Sequence, residues 1–427
     1  MISRARAVMV LIVLFLSALV CGGIFILKDK WRVVEMSREE IESAADLKRA
    51  EEIKEKGKTK GVEDTQESAG RGEGPSLSLE DKIQMIARKT EELAAEIKII
   101  KILKSSQIKG IYVGSASKPD YFKKLLEETE LNGVVIDVKE ATGPIPYNRL
   151  YLKELIEELH RKNIWVIARI CVFRDSSLTQ KRPDWYLSLD PASSDEAGPR
   201  ERLLWQDERG QYWLDPGNEE VHDYIIDFSK TIIDYGFDEL QFDYIRYPVD
   251  YPGAVDRIQN IGNFFKKISQ ELRAYRPSII LSVDLFGYVA VQFNSFDTGQ
   301  RLMDAGKYFD YLSFMLYPSH FYAGFEVGRD PSRGLPALKY SYPQVIEHPY
   351  QVILRSVLTA TDYLSWFDYK VKIRPWLQDF DLAVDQEKGI VYDAEKVRAQ
   401  IQAARDSGAA GWLLWNPTCT YTQAALE

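Results

Sequence analysis

Three aspartates stand at the ends of short apolar runs. Asp137 closes Val134-Val135-Ile136, Asp243 closes Leu240-Gln241-Phe242 and Asp284 closes Leu281-Ser282-Val283. Successive side chains of a strand alternate between its two faces. Leu240 and Phe242 therefore share one face, with Gln241 and Asp243 on the other. Leu281 and Val283 oppose Ser282 and Asp284 in the same way, and Asp137 is out of phase with Val134 and Ile136. If the apolar sets pack against helices, all three carboxylates point to the opposite side. One buried Asp is commonly a salt-bridged structural residue, and Arg169 or Arg246 could neutralise it. Three on one rim point instead to a reacting centre. Paired carboxylates suit glycoside hydrolysis, which needs one ionised nucleophile or base and one acid held protonated by a raised pKa.

Other side chains fit the same chemistry. The chain has 24 Tyr and 9 Trp, and the apolar faces of sugar rings stack on such groups. Trp185, Tyr186, Trp205, Tyr212 and Trp213 fall in a segment of about 172–216. Tyr317, His320, Phe321, Tyr322, Tyr340, Tyr342 and Tyr350 fall in a second, about 317–350. Long ordered loops of this kind are usually functional, although part of each aromatic set is expected to form small cores beneath its loop. Trp165 and Trp412, inside apolar runs, are expected in the core. With four His and three Cys at no ligand spacing, no metal or other cofactor is expected. A metal-dependent deacetylase would need a His/Asp triad. His160 and His222 fall on helices, which leaves only His320 and His348 in a loop. Cys171 and Cys419 read as buried free thiols, with a disulfide left open.

The elements that must position these groups follow from the pattern of runs. Eight apolar stretches recur at Ile108–Val113, Gly133–Val138, Ile164–Cys171, Glu239–Tyr244, Ile279–Leu285, Tyr311–Leu316, Lys372–Leu377 and Ala410–Trp415. Helical stretches separate them, such as Lys118–Glu130, Tyr151–Lys162, Glu219–Tyr235, Ala254–Tyr275, Tyr350–Phe367 and Ala394–Ser407. Strands alternating with helices imply a parallel sheet. Eight units over 108–427 predict an α/β fold, a (β/α)8 TIM barrel whose active site lies at the C-terminal strand ends. A doubly wound open sheet is the alternative. The first strand, however, runs into Gly114-Ser115-Ala116-Ser117 and lacks a Gly-rich phosphate loop.

Several of these motifs, in this order, resemble a family of glycoside-hydrolase barrels long carried as a domain of unknown function. They are Gly133-Val134-Val135-Ile136-Asp137-Val138-Lys139, Ala168-Arg169-Ile170, Trp213-Leu214-Asp215-Pro216, Phe242-Asp243-Tyr244-Ile245-Arg246-Tyr247-Pro248, Met315-Leu316-Tyr317-Pro318 and Gly411-Trp412-Leu413-Leu414-Trp415-Asn416-Pro417. The family is distantly similar to amylase-like barrels. Those carry an Asp nucleophile at strand four, a Glu acid at strand five and a stabilising Asp at strand seven. By position the resemblance implies Asp243 as nucleophile, Asp284 as general acid and Asp379 as the third carboxylate. Asp284 is one methylene shorter than Glu, so Glu140 and Asp379 stay open as proton donors. Asp137, Lys139, Arg169, Arg246, Tyr317, Trp376, Gln378, Asp379, Trp415 and Asn416 are expected to bind substrate. A retaining mechanism is expected, with inversion open. A non-catalytic glycan-binding barrel is the competing reading.

The rest of the chain reads as an attachment. Residues 7–27 are uncharged and almost wholly apolar, long enough for a helix of roughly 30 Å, a membrane span. No A-x-A site follows and Val20 precedes Cys21, so an uncleaved signal anchor over 1–32 is preferred to a signal peptide or lipoprotein signal. The flanking charges are too even to orient it. The expected function places the barrel outside the cytoplasm. Residues 33–107 form a charged stalk with a Gly/Ser-rich linker at 61–78. Its last part, 79–104, has Ile83, Ile86, Leu93, Ile97 and Ile100 at near-helical spacing. This is either a helix on the barrel's flank or a short coiled coil joining two copies. The net charge of −9 argues against a nucleic-acid partner.

Overall fold

The computed structural model describes residues 79–427 apart from 106, 115–117, 190–202 and 296. The membrane-anchor expectation over 7–27 lies outside these residues. Among the described residues no helix is long and apolar enough to cross a membrane.

Eight parallel strands close into a barrel. They are β1 (Ile108–Val113), β2 (Gly133–Glu140), β3 (Trp165–Cys171), β4 (Glu239–Asp243), β5 (Ile280–Phe286), β6 (Tyr311–Leu316), β7 (Trp376–Gln378) and β8 (Gly411–Trp415). Each pairs with the next in sequence, and β1 pairs with both β2 and β8, so the sheet has no free edge. The seventh strand is split. Lys372–Ile373 also pairs with β6, and Pro375, which lacks an N–H, separates it from β7.

Helix α1 (Leu79–Ser105) precedes the barrel. Around the barrel follow α2 (Pro119–Glu128), α3 (Arg149–Arg161), α4 (Glu219–Ile233), α5 (Arg257–Tyr275), α6 (Leu302–Tyr308), α7 (Pro349–Leu364) and α8 (Ala394–Asp406). Several start on a side-chain cap placed in sequence. Asn148, Asn218, Asp256 and Asp393 each accept from amides of the first turn of the helix they precede.

The strand alternation creates two cores. Outward residues such as Val134, Ile136, Leu240, Phe242, Leu281 and Val283 pack against the helices. Inward residues, including Val135, Trp165, Ile167, Tyr311, Trp376 and Leu413, fill the barrel. The interior is layered. At the floor Glu239 pairs with Arg374, both fully buried, and accepts from Trp165 Nε1 at 3.0 Å. Above it Gln241 donates to Ser313 at 3.2 Å. The next inward position on β4 is Asp243.

The end of α1 rests on the floor. Ser105 and Tyr311 share a 2.6 Å hydroxyl contact, and Lys98 bridges Asp310 at 3.0 Å. Leu93, Ile97 and Ile100 remain exposed.

Gly411 opens β8 at φ +88°, where a Cβ would lie 2.0 Å from the Ile108 carbonyl oxygen. Gly411→Ala is expected to destabilise the fold by about 3 kcal/mol or more. Chemical denaturation measures it, and a loss under about 1 kcal/mol would contradict the tight β1–β8 seam.

Candidate active site

The C-terminal strand ends surround a cavity of about 730 Å³, within the size of ordinary ligand sites. Arg169 is its organising cation. In the sheet register Asp137 on β2 faces Arg169 on β3, and β3 in turn lies beside β4. Arg169 Nη1 donates to Asp137 Oδ1 at 2.5 Å, and its Nε donates to Asp243 Oδ2 at 3.1 Å. The same Nε lies 3.9 Å from Asp284 Oδ2. One guanidinium thus serves three carboxylates. Burial works against its charge, but Asp137 and Asp243 outweigh that and hold its pKa above the ordinary value.

The carboxylates differ in their surroundings. Asp137 is buried behind Arg169 and also accepts from Tyr112 Oη at 2.5 Å, so it positions the arginine. Asp243 accepts from Arg169 and from the Tyr244 amide at 2.6 Å. That amide reaches it because Tyr244 turns out of the strand at φ +51°, a left-handed conformation that a non-glycine residue rarely adopts and that concentrates at functional sites. Asp284 is buried and accepts from Trp376 Nε1 at 2.8 Å through Oδ1. Burial first, and the charge of Asp243 second, raise its pKa well above the usual carboxylate range. The Trp376 N–H marks Oδ1 as the carbonyl oxygen, which leaves Oδ2 to carry the proton.

Because one Nε touches both Asp243 and Asp284, the separation of the two Oδ2 atoms is capped at the sum of 3.1 and 3.9 Å. That ceiling includes the roughly 5–5.5 Å of retaining glycosidases and only the lowest edge of the roughly 6.5–9.5 Å of inverting ones.

Aromatic groups form one wall. Trp415 stacks on Tyr317 at 5.8 Å, and Phe380 and His320 pack edge-on or tilted against them. Burial, then Asp284 and Asp243, raise the Tyr317 pKa and keep its hydroxyl protonated. Trp213, Tyr244, Phe286 and Arg246 line the opposite side.

Of the residues expected to bind substrate, Arg169, Arg246, Tyr317, Trp376 and Trp415 line this cavity beside Asp243 and Asp284. Asp137, Lys139, Gln378, Asp379 and Asn416 are not among the residues that line it. The Lys139 ammonium is sealed inside, paired with Asp175 at 2.8 Å and donating to the Cys171 carbonyl at 2.7 Å. Gln378 is buried between Ser319, Phe380 and Gln400, tying β7 to the loop after β6. Asp379 accepts from the Thr422 amide at 2.9 Å and hydroxyl at 2.7 Å, and holds the C-terminal segment. Asn416 donates to the Asp379 carbonyl and accepts from Thr418. Glu140 pairs with Gly143 in a short antiparallel turn and does not line the cavity. Sequence reasoning missed Tyr112, Arg174 and Phe286. The signal for Tyr112 is the alternation of β1, where it falls between the outward Ile111 and Val113. The two remaining described cysteines, Cys171 and Cys419, are buried and unbridged.

Breaking the Lys139–Asp175 pair separates structure from function. Lys139→Met leaves Asp175 buried without its cation, and is expected to cost about 3–5 kcal/mol of stability. The activity of the folded fraction should stay near that of the parent. A selective loss of activity at unchanged thermal midpoint would return Lys139 to the site.

Comparison with known proteins places the chain in a family. No curated protein matches it. Among solved structures, a hypothetical protein from Ruminiclostridium thermocellum ATCC 27405 is 26% identical, over 41% of this chain and 96% of that one, with a TM-score of 0.32. An alpha-galactosidase from Thermus thermophilus is 21% identical over 73% of this chain and 61% of its own, with a TM-score of 0.42. The glycoside hydrolase domain of PelA from Pseudomonas aeruginosa is 12% identical over 74% and 96%, with a TM-score of 0.40. Residues 107–421 match the model of a family described as "putative glycosyl hydrolase domain". That span holds all eight strands and every residue lining the cavity, and the chain belongs to this glycosyl hydrolase family.

Proposed function

We propose that the protein is a retaining glycosidase acting on a polysaccharide or cell-envelope glycan, with Asp243 as nucleophile and Asp284 as general acid and base. The observation that carries this reading is the pair of carboxyls on adjacent strands that share Arg169 while differing in environment. Asp243 is met by donors suited to a carboxylate. Asp284 is buried, flanked by a negative charge, and suited to hold a proton. In the first step Asp284 Oδ2 protonates the glycosidic oxygen while Asp243 attacks the anomeric carbon, giving a glycosyl ester and the released alcohol. In the second, Asp284 takes a proton from water, which displaces Asp243. Tyr317, Trp376 and Trp415 offer the aromatic wall for the sugar. Incubating the full chain with a glycan library, and reading the first-formed anomer by proton NMR, tests this. Retention of configuration is expected, and inverted product would assign Asp243 the role of general base.

The sequence of 7–27 supports a membrane anchor, the glycosidase reading puts the domain outside the cytoplasm, and cell fractionation with protease accessibility tests both. The exposed Leu93, Ile97 and Ile100 stripe supports pairing with a second copy, which sedentation velocity of detergent-solubilised protein would read as a dimer.

A further inference from the structure

Arg246 differs from the other two partly buried arginines of the cavity, Arg169 and Arg174, while Arg209 lines its exposed rim. Arg169 is held by three carboxylates, and Arg174 lies 3.3 Å from Asp207. Arg246 has no carboxylate within salt-bridge distance among the described residues. Among the described residues its one side-chain hydrogen bond runs from Nη1 to the Tyr247 carbonyl at 3.0 Å. Its guanidinium instead sits against three rings, 4.6 Å from the centroid of Phe286, 4.9 Å from Trp213 and 5.5 Å from Tyr244. Those rings surround it at the cavity wall, three residues after Asp243.

Such a cation is poorly solvated. Burial lowers its pKa, the reverse of the shift at Arg169. Of the cavity carboxylates, Asp243 is committed to Arg169 and Asp207 to Arg174 and the Trp213 N–H, while Glu208 and Asp250 line the cavity beyond salt-bridge distance of Arg246. Five N–H donors in a fixed plane, one of them used, match the two oxygens of a carboxylate or phosphate far better than a single hydroxyl. Ring contacts steady the plane without neutralising the charge.

We propose that Arg246 receives an anionic substituent of the glycan, a carboxylate or phosphate carried by the sugar unit bound beside Asp243. The substrate is then an acidic polysaccharide. This rests on the glycosidase reading only for the ligand being a glycan, and binding, not cleavage, tests it.

The full chain is run in affinity electrophoresis, in the cold, through gels holding polygalacturonate, alginate, hyaluronan or a phosphodiester-linked teichoic acid. Each acidic polymer is paired with its carboxyl-reduced or dephosphorylated form. At least one acidic polymer is expected to bind about 10- to 100-fold more tightly than its neutral partner. A uronate polymer or the teichoic acid as the winner distinguishes carboxylate from phosphate. Arg246→Gln should erase the preference, and Arg246→Lys should keep only part of it because the planar fork is lost. If Arg246→Gln does not fold, Arg246→Lys decides, and an undiminished preference in it overturns the proposal. No preference for any acidic polymer, or a preference that survives in folded Arg246→Gln, overturns the proposal. Binding of acidic polymers without cleavage would leave it standing and count against the glycosidase reading instead.

Discussion

Replacing Asp243 by Asn is expected to abolish glycan cleavage, lowering kcat by about 10⁴-fold or more, while the barrel stays folded. The amide keeps the size of the carboxylate, and its single oxygen can still accept from either Arg169 Nε or the Tyr244 amide, so one of the two local hydrogen bonds survives and the other is lost. It cannot form the ester on which a retaining cycle depends. Arg169 keeps Asp137 as a partner at 2.5 Å, so no buried cation is stranded. Product release and the thermal midpoint, measured on the same preparation, separate the two effects. Turnover within tenfold of the parent would remove Asp243 from the nucleophile role.

The second large effect is at Asp284, and it has opposite signs in activity and stability. Asp284→Asn removes the proton donor and is expected to slow cleavage of a natural glycan by about 10²–10⁴-fold. An aryl glycoside whose leaving group needs no proton should be far less affected. In the parent, kcat/KM should fall as pH rises through the raised pKa of Asp284, because the acid is then lost. The variant should lack that descending limb. Stability follows from the same shift. Asp284 has a folded pKa above the roughly 3.9 of an unfolded Asp. Its stabilising contribution is complete below the unfolded value and is lost as pH rises through the folded one. Asn never ionises and still accepts the Trp376 N–H. The variant is therefore expected to melt a few degrees higher at a pH above the folded value, with the gain vanishing near pH 3. A lower midpoint at high pH would show that Asp284 carries no buried-charge penalty.

The barrel was legible because all eight strands are buried on both faces and read as apolar runs. Their observed bounds differ little from the expected ones, except where Pro375 divides the seventh. Strand phase also predicted that Asp137, Asp243 and Asp284 point inward, since alternation is enforced by the backbone. It does not extend to residues just beyond strand ends, where Asp379 was placed by position alone. Asp379 follows β7, where the chain is free to turn, and a loop from distant sequence claims it through Thr422. The register shifts between Asp137 and Lys139, and Lys139 is buried against Asp175. The aromatic loops divide as their dual role requires. Tyr186 is wholly buried under its loop, while Trp213 lines the cavity 4.9 Å from the Arg246 guanidinium. The short helix α6 and the hairpin of Phe325–Val327 with Leu338–Tyr340 have too few residues for a periodic signal.

The shared guanidinium also sets the order of events in the proposed cycle. Before reaction, the negative Asp243 is one of the forces that keep Asp284 protonated. Once Asp243 carries the sugar as an ester, that charge is gone. Arg169 then faces Asp284 with one competitor fewer, and Asp284 becomes a stronger acid at the moment its proton has been delivered. It is left as the carboxylate that must accept a proton from water. Hydrolysis of the ester restores the charge and the proton affinity together. The same two oxygens held near one nitrogen thus act as an escapement, each half-step releasing the next.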